Sequence, residues 1–189
     1  MAVLQWLLEL SQERHMGTLD LGLADYNPTV LQLVTLPNLL LSWAQVTRKE
    51  SWEPEGELEI DADLVQAFTS SLKSHDVKLS FFSGAWSPEF VHLVMQSMGL
   101  GAAHLTILGA ETIYSPAALK SFADTLMSLL DGIPEGRRTA LIAAKKVYFG
   151  VGGSIEDFCD AIRANGAGVQ QIREESDGVR RAVVEVKAK

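Results

Sequence analysis

The stretch Leu105-Thr106-Ile107-Leu108-Gly109-Ala110-Glu111-Thr112-Ile113-Tyr114-Ser115-Pro116 holds the fold in miniature. An apolar strand over 105–108 runs into a turn with distinctive polar groups, and Ser115-Pro116 then starts a helix. Two other stretches repeat the pattern. Residues 21–24 lead into Asp25-Tyr26-Asn27-Pro28, and residues 79–82 lead into Gly84-Ala85-Trp86-Ser87-Pro88. Asn and Ser are favoured N-caps because their side-chain oxygen accepts a hydrogen bond from a free amide of the first turn. Proline suits the next position, where its missing N–H costs nothing and its φ already fits a helix. Strands that feed helices through short turns build parallel α/β sheets, and such sheets bind ligands at the carboxyl ends of their strands. Asp25, Trp86 and Glu111 are therefore expected on one ligand-facing rim.

The other elements extend from these junctions. Residues 2–14 read as a helix, 19–24 as a buried strand, and 28–43 as a very apolar helix kinked at Pro37, where an interior proline removes a hydrogen bond. A helix over 62–74, a strand over 77–82, a helix over 88–98 and a strand over 105–109 follow. Residues 116–130 keep Leu119, Phe122, Ala123, Leu126, Leu129 and Leu130 on one helical face. Residues 138–149 contain a strand with its apolar part at 140–144, and 150–153 form a glycine-rich turn. Ser154 and Asp157 resemble a capping box on a helix ending at Ala164. Strands over 168–173 and 179–187 flank Ser176-Asp177-Gly178, a hairpin signal. The expectation is a single α/β domain over residues 1–189, mostly parallel, with an antiparallel hairpin at its C-terminal edge.

With 189 residues, 47% hydrophobic and 21% charged, the chain has the size and composition of one globular domain. A formal charge of −8 argues against nucleic-acid binding, which calls for a basic patch. Glu50, Glu53, Glu55, Glu57, Glu59, Asp61 and Asp63 crowd one short stretch, either a solvated loop or an electrostatic guide for a basic protein partner. Cys159 is the only cysteine, so no internal disulfide can form and an oxidising compartment is not indicated. Residues 1–10 are apolar but lack a basic n-region and a small-residue cleavage site, which reads as an amphipathic helix rather than a signal peptide or membrane span. A cytoplasmic or nuclear location without membrane attachment is expected. His15, His75, His92 and His104 share no ligand spacing with one another or with Cys159, so no metal site is expected. No Walker sequence and no Gly-x-Ser-x-Gly elbow occurs.

At the expected rim, Asp25 could accept both hydrogen bonds of a ribose diol or could help cap the helix that Pro28 begins. Trp86 could wall an adenine ring or close its helix onto the sheet as a core residue. Glu111 and Tyr114 could orient a nucleophile or accept its proton, the alternative being a carboxylate bound to local backbone amides. Gly150-Val151-Gly152-Gly153 offers a weaker dinucleotide-loop reading, which Ile155 opposes because it stands where that fingerprint needs its third glycine.

Five segments carry a family resemblance: Leu23-Ala24-Asp25-Tyr26-Asn27, Val34-Thr35-Leu36-Pro37-Asn38, Phe81-Phe82-Ser83-Gly84-Ala85-Trp86-Ser87, Glu111-Thr112-Ile113-Tyr114-Ser115-Pro116, and Ala144-Lys145-Lys146-Val147-Tyr148-Phe149-Gly150-Val151-Gly152-Gly153. Together they resemble the protein-histidine methyltransferases of eukaryotes, in a form that looks fungal. The resemblance runs from about residue 18 to the end of the chain. It implies a Rossmann-like seven-strand methyltransferase sheet, S-adenosylmethionine as cofactor, and a histidine of a large-subunit ribosomal protein as substrate. By position, Asp25, Tyr26 and Asn27 would meet the cofactor ribose, Gly84, Ala85 and Trp86 would border its adenine, and Ala110 would lie beside its methionine part. Glu111 and Tyr114 would face the substrate as the catalytic pair.

The sequence departs from the family in three places. The family's first strand and its glycine-rich Asp/Glu-x-Gly-x-Gly loop should precede the first helix, whereas this chain begins with that helix and is expected to lack both. Ala85 stands where many relatives carry an acidic residue, and His104-Leu105-Thr106 replaces the usual Tyr-Asp-Leu. Two functions are therefore open: methyl transfer to a protein histidine, or a non-catalytic remnant of the fold that binds protein.

Overall fold

The computed structural model describes residues 4–5, 17–48, 55–99, 104–133, 136–150, 152–176 and 178–188. Every cap named in the sequence forms. Asn27 Oδ1 accepts from the Thr29 amide at 2.9 Å, Ser87 Oγ from Phe90 at 3.3 Å, and Ser115 Oγ from Ala118 at 3.2 Å. Ser154 Oγ accepts from the Asp157 amide at 3.0 Å and donates to the Asp157 carboxylate at 2.7 Å. A capping-box Glu would instead reach back to the backbone of the cap.

The chain divides into two compact units, Met1–Gly84 and Ala85–Lys189. In the first, strand β1 (Leu19–Asp25) leads to helix α1 (Pro28–Thr47), then to α2 (Ala62–Ser74) and β2 (Val77–Ser83). β1 and β2 pair in parallel, in register from Leu19 opposite Val77 to Asp25 opposite Ser83. Leu39, Leu40, Trp43, Ala44 and Val46 of α1 make a buried core with Leu64, Phe68 and Leu72 of α2. Trp43 meets Phe68 edge to face, with ring centroids 5.5 Å apart. Among the described residues, α1 is the one helix long and apolar enough to cross a membrane by length and composition, yet this core face is packed within the unit.

The disturbance around Pro37 includes a change of helix type just ahead of the proline. Residues Leu31–Thr35 form a π-helical turn in which the Leu36 amide reaches the Leu31 carbonyl. Widening the turn just ahead of Pro37 accommodates a residue that has no N–H to give, and regular α-helix then runs from Leu36 to Thr47. The acidic stretch also gains a local explanation. Asp61 caps α2 through the Leu64 amide at 2.7 Å, and Asp63 sits in the first turn, where the helix dipole favours negative charge. Glu50 and Glu53, like most of the helix expected over 2–14, lie outside the described residues.

The second unit contains α3 (Pro88–Met98), β3 (Leu105–Ala110), α4 (Pro116–Asp131), β4 (Arg138–Lys145), α5 (Ile155–Ala164), β5 (Gly168–Glu175) and β6 (Arg181–Lys187). Its sheet has the order β3-β4-β6-β5, with β3 parallel to β4 and β6 antiparallel to both of its neighbours. The α/β class and the C-terminal hairpin are as expected, but one mostly parallel seven-strand sheet is not what is observed. The described residues make six strands in two sheets, and two of the four pairings are antiparallel. A short connection forces β5 and β6 to run in opposite directions, and β6 then enters between β4 and β5.

The core of this unit forms where Ala140, Ile142 and Ala144 of β4 and Val184 and Val186 of β6 meet Phe122, Leu126 and Leu130 of α4 and Phe158 and Ile162 of α5. One glycine is fixed by that packing. A Cβ on Gly109 would stand 2.8 Å from Ile142 Cδ1 and 2.9 Å from Phe122 Cζ, both on buried side chains. Gly109→Ala is expected to lower stability by about 1–3 kcal/mol through overpacking, read as a lower urea midpoint with an unchanged m-value.

Candidate functional site

β3 and β4 end side by side, with Ala110 opposite Ala143. The ladder continues one residue further, because the Glu111 amide donates to the Ala143 carbonyl at 3.0 Å. There the chain turns sharply, and Glu111 takes a φ of 55°. This left-handed conformation costs a non-glycine residue about 1–2 kcal/mol, and residues held this way cluster at functional sites. Beside it, Thr112 Oγ1 is buried with no hydrogen-bond partner among the described residues. An orphaned hydroxyl of this kind calls for an explanation by function, strain or solvent.

Among the described residues, the Glu111 carboxylate is held by side chains and not by local backbone amides. Tyr148 donates its hydroxyl to Glu111 Oε2 at 2.8 Å, and Arg181 Nε stands 3.6 Å from Oε1. The Tyr148 oxygen in turn accepts from the Lys145 amide at 3.3 Å, while Lys145 Nζ lies over the phenol ring, 5.5 Å from its centroid. Tyr148 is buried, whereas the Glu111 side chain is 46% exposed. Burial and the hydrogen bond to Glu111 push the Tyr148 phenol up to about 12. Below that it remains protonated and donates. The arrangement presents an anchored carboxylate to solvent at the carboxyl end of β3.

Neither Tyr148 nor Arg181 emerges from the sequence as a site residue. Arg181 reaches Glu111 because the antiparallel register sets it opposite Lys145 at the end of β4. Tyr148 follows β4 directly, and an aromatic just past a strand's carboxyl end was the available signal. Of the glycines after it, Gly152 and Gly153 are closely packed, whereas a Cβ on Gly150 would meet nothing within 4 Å. A bridge joins Val147 to Ser154, the Tyr148 amide donates to the Gly153 carbonyl at 3.3 Å, and a Cβ on Gly153 would stand 2.9 Å from the Ile113 carbonyl oxygen. This small hairpin therefore packs its backbone against the segment that follows Glu111.

The remaining expected residues fall as follows. Tyr114 is 56% exposed and makes no hydrogen bond among the described residues, and Ala110 is exposed at the end of β3. Trp86 is partly buried, edge to face with Phe90 at 5.1 Å and Phe122 at 5.7 Å, as a residue that closes α3 onto its unit's core would be. Ala85 before it is exposed. In the first unit, Asp25 and Gly84 adjoin at the carboxyl ends of β1 and β2, where the Gly84 amide donates to the Asp25 carbonyl at 3.4 Å. Asp25 Oδ1 accepts from the Asn27 amide at 2.8 Å, so one carboxylate oxygen serves the local turn. Tyr26 is 70% exposed, and Asn27 is the helix cap. No group of three or more His, Cys, Asp or Glu suited to a metal occurs among the described residues.

No family model matches the chain. It is 36% identical over 162 residues to histidine protein methyltransferase 1 of Saccharomyces cerevisiae, an alignment covering 79% of this chain and 42% of that protein. The protein of the same name from Schizosaccharomyces pombe is 36% identical over 146 residues, covering 77% of this chain and 41% of the relative. The Bos taurus homologue is 35% identical over 142 residues, covering 75% and 35%. Over most of its own length the chain is thus homologous to proteins named as histidine protein methyltransferases, the resemblance its motifs carry. It spans less than half the length of these curated relatives.

The backbone at Glu111 makes a prediction that reverses the usual order of two substitutions. Glu111→Ala and Glu111→Gly both remove the bond to Tyr148, but only glycine is at ease at this φ. Glu111→Gly is expected to be the more stable of the two by about 1 kcal/mol, measured by urea unfolding at neutral pH.

Proposed function

We propose that the chain belongs to an enzyme that transfers a methyl group from S-adenosylmethionine to an imidazole nitrogen of a histidine in a protein substrate. One observation supports the reading most: Glu111 is held in a strained backbone conformation with its carboxylate anchored by Tyr148 and still half open to solvent. The homologues' names agree with it.

The residues present fit the cofactor's chemistry, taken unit by unit. In the first unit, the carboxylate of Asp25 at a strand end suits a ribose diol, with Tyr26 and Asn27 beside it in the chain, and Gly84 offers a backbone with no side chain in the way. In the second, Ala85 and Ala110 are small and exposed, and Trp86 offers the aromatic surface its packing leaves uncovered. The buried, unpartnered Thr112 hydroxyl is a polar group still to be satisfied. When bound, S-adenosylmethionine would supply an electrophilic methyl group on a sulfonium sulfur, which keeps the bonding pair and leaves as a neutral thioether when the C–S bond breaks.

The chain's own residues orient the nucleophile. A neutral imidazole carries one N–H and one lone pair, so a partner on the N–H selects the nitrogen that attacks. Glu111 accepts that N–H and stabilises the positive charge that grows on the ring as the new N–C bond forms. The N–H proton then leaves through the exposed side of the carboxylate to solvent. Tyr114, an exposed phenol three residues on, lines the substrate side. The net charge of −8 favours a basic protein substrate, in keeping with the ribosomal protein implied by the motifs and with a cytoplasmic or nuclear location.

Calorimetric titration of the chain with S-adenosylmethionine is expected to give a dissociation constant on the order of micromolar, in the range usual for enzyme ligands. A folded chain that takes up no cofactor would instead support a non-catalytic, protein-binding role. Glu111→Gln is expected to slow single-turnover methyl transfer by about a hundredfold, and Tyr114→Phe by less. Unchanged single-turnover rates in both variants would rule out the proposed roles.

A further inference from the structure

We propose that Tyr148 is a positioning residue: its hydroxyl clamps Glu111 Oε2 and so leaves Oε1 as the oxygen that meets the substrate imidazole. The inference rests on the role assigned to Glu111 above and adds the residue through which that role is set.

The direction of the hydrogen bonds follows from chemistry. An amide N–H can only donate, so at 3.3 Å from the Lys145 amide the Tyr148 oxygen is the acceptor. The single phenolic proton is then directed to Glu111 Oε2, 2.8 Å away. Its elevated titration point, about 12, keeps that proton in place at neutral pH. Tyr148 therefore has no proton-accepting role to play in transfer. Arg181 Nε stands 3.6 Å from Oε1, beyond hydrogen-bonding distance, so that oxygen retains lone pairs for an incoming N–H.

The two partners also differ in rigidity. Glu111 is half exposed on a turn, whereas Tyr148 is only 7% exposed and tied down on several sides. Its own amide bonds to Gly153, the Val147–Ser154 bridge closes the hairpin around it, and Lys145 covers its ring. Through Gly153 the same hairpin abuts the Ile113 carbonyl. The clamp and the turn it acts on are thus braced against each other. A side chain with rotamer freedom is fixed most effectively by a partner that has none.

The test uses Tyr148→Phe, Glu111→Gln and the double variant of the full chain. The first readout needs no turnover: the 13Cζ resonances of the three tyrosines at neutral pH, with Tyr148 assigned by its loss in Tyr148→Phe. In Glu111→Gln the Tyr148 resonance is expected to shift while those of Tyr26 and Tyr114 stay put. No movement of Tyr148 overturns the inference.

The second readout is methyl transfer from S-adenosylmethionine to a synthetic histidine-bearing peptide. Tyr148→Phe is expected to lower kcat by about ten- to a hundredfold with little change in KM for the peptide. The double variant should fall no lower than Glu111→Gln alone. A Tyr148→Phe protein that melts earlier but turns over normally per folded molecule assigns Tyr148 a purely structural role and overturns the proposal. Full activity in Glu111→Gln overturns the functional reading of Glu111, and this inference with it. If the wild-type chain binds S-adenosylmethionine but shows no turnover, the functional reading of Glu111 fails and this inference falls with it.

Discussion

The parallel pairing of β3 with β4 is the constraint on which the candidate site depends. The bond from the Glu111 amide to the Ala143 carbonyl extends that pairing just past the strand, so the chain must turn within one residue. The φ of 55° at Glu111 is the result. Everything else at the site is arranged around this turn: the phenol that receives the carboxylate, the arginine brought in by β6, and the glycine hairpin that backs both. The strain is small beside the burial of the core below, where side chains such as Phe158 and Ile162 each contribute about 1.5–3 kcal/mol. A well-packed sheet can hold an unfavourable turn open at modest cost.

Interactions within a few residues were legible in the sequence. The caps at Asn27, Ser87, Ser115 and Ser154 formed where a polar cap precedes a helix, and the amphipathic face of α4 became the buried face. Local hydrogen bonds and periodicity need no knowledge of distant chain, which is why they could be read. Glu111 was legible for the same reason, as a polar residue at a strand-to-helix turn.

Its partners were not. Tyr148 is 37 residues away and Arg181 arrives from a strand whose antiparallel register sets it opposite Lys145. Pairing order and register depend on which sheet edge a strand reaches, and a linear pattern carries no term for that. The π-helical turn before Pro37 is a subtler case. Proline announces a disturbance of the helix, but not that the turn before it widens to let the Leu36 amide reach the Leu31 carbonyl. Trp86 shows the limit from the other side: its rim position is evident from the sequence, while its commitment to Phe90 and Phe122 depends on how two helices pack in space.

The contact between Gly153 and the Ile113 carbonyl has a consequence for how this stretch can vary among relatives. Phe149 is 93% exposed, and an exchange of its side chain removes no buried contact. Four positions later the tolerance vanishes, because any side chain at 153 pushes directly on the backbone that follows Glu111. Neighbouring positions of one short loop are thus under opposite regimes. Phe149 is free to diverge with whatever the protein meets, and Gly153 is frozen by a distance of 2.9 Å.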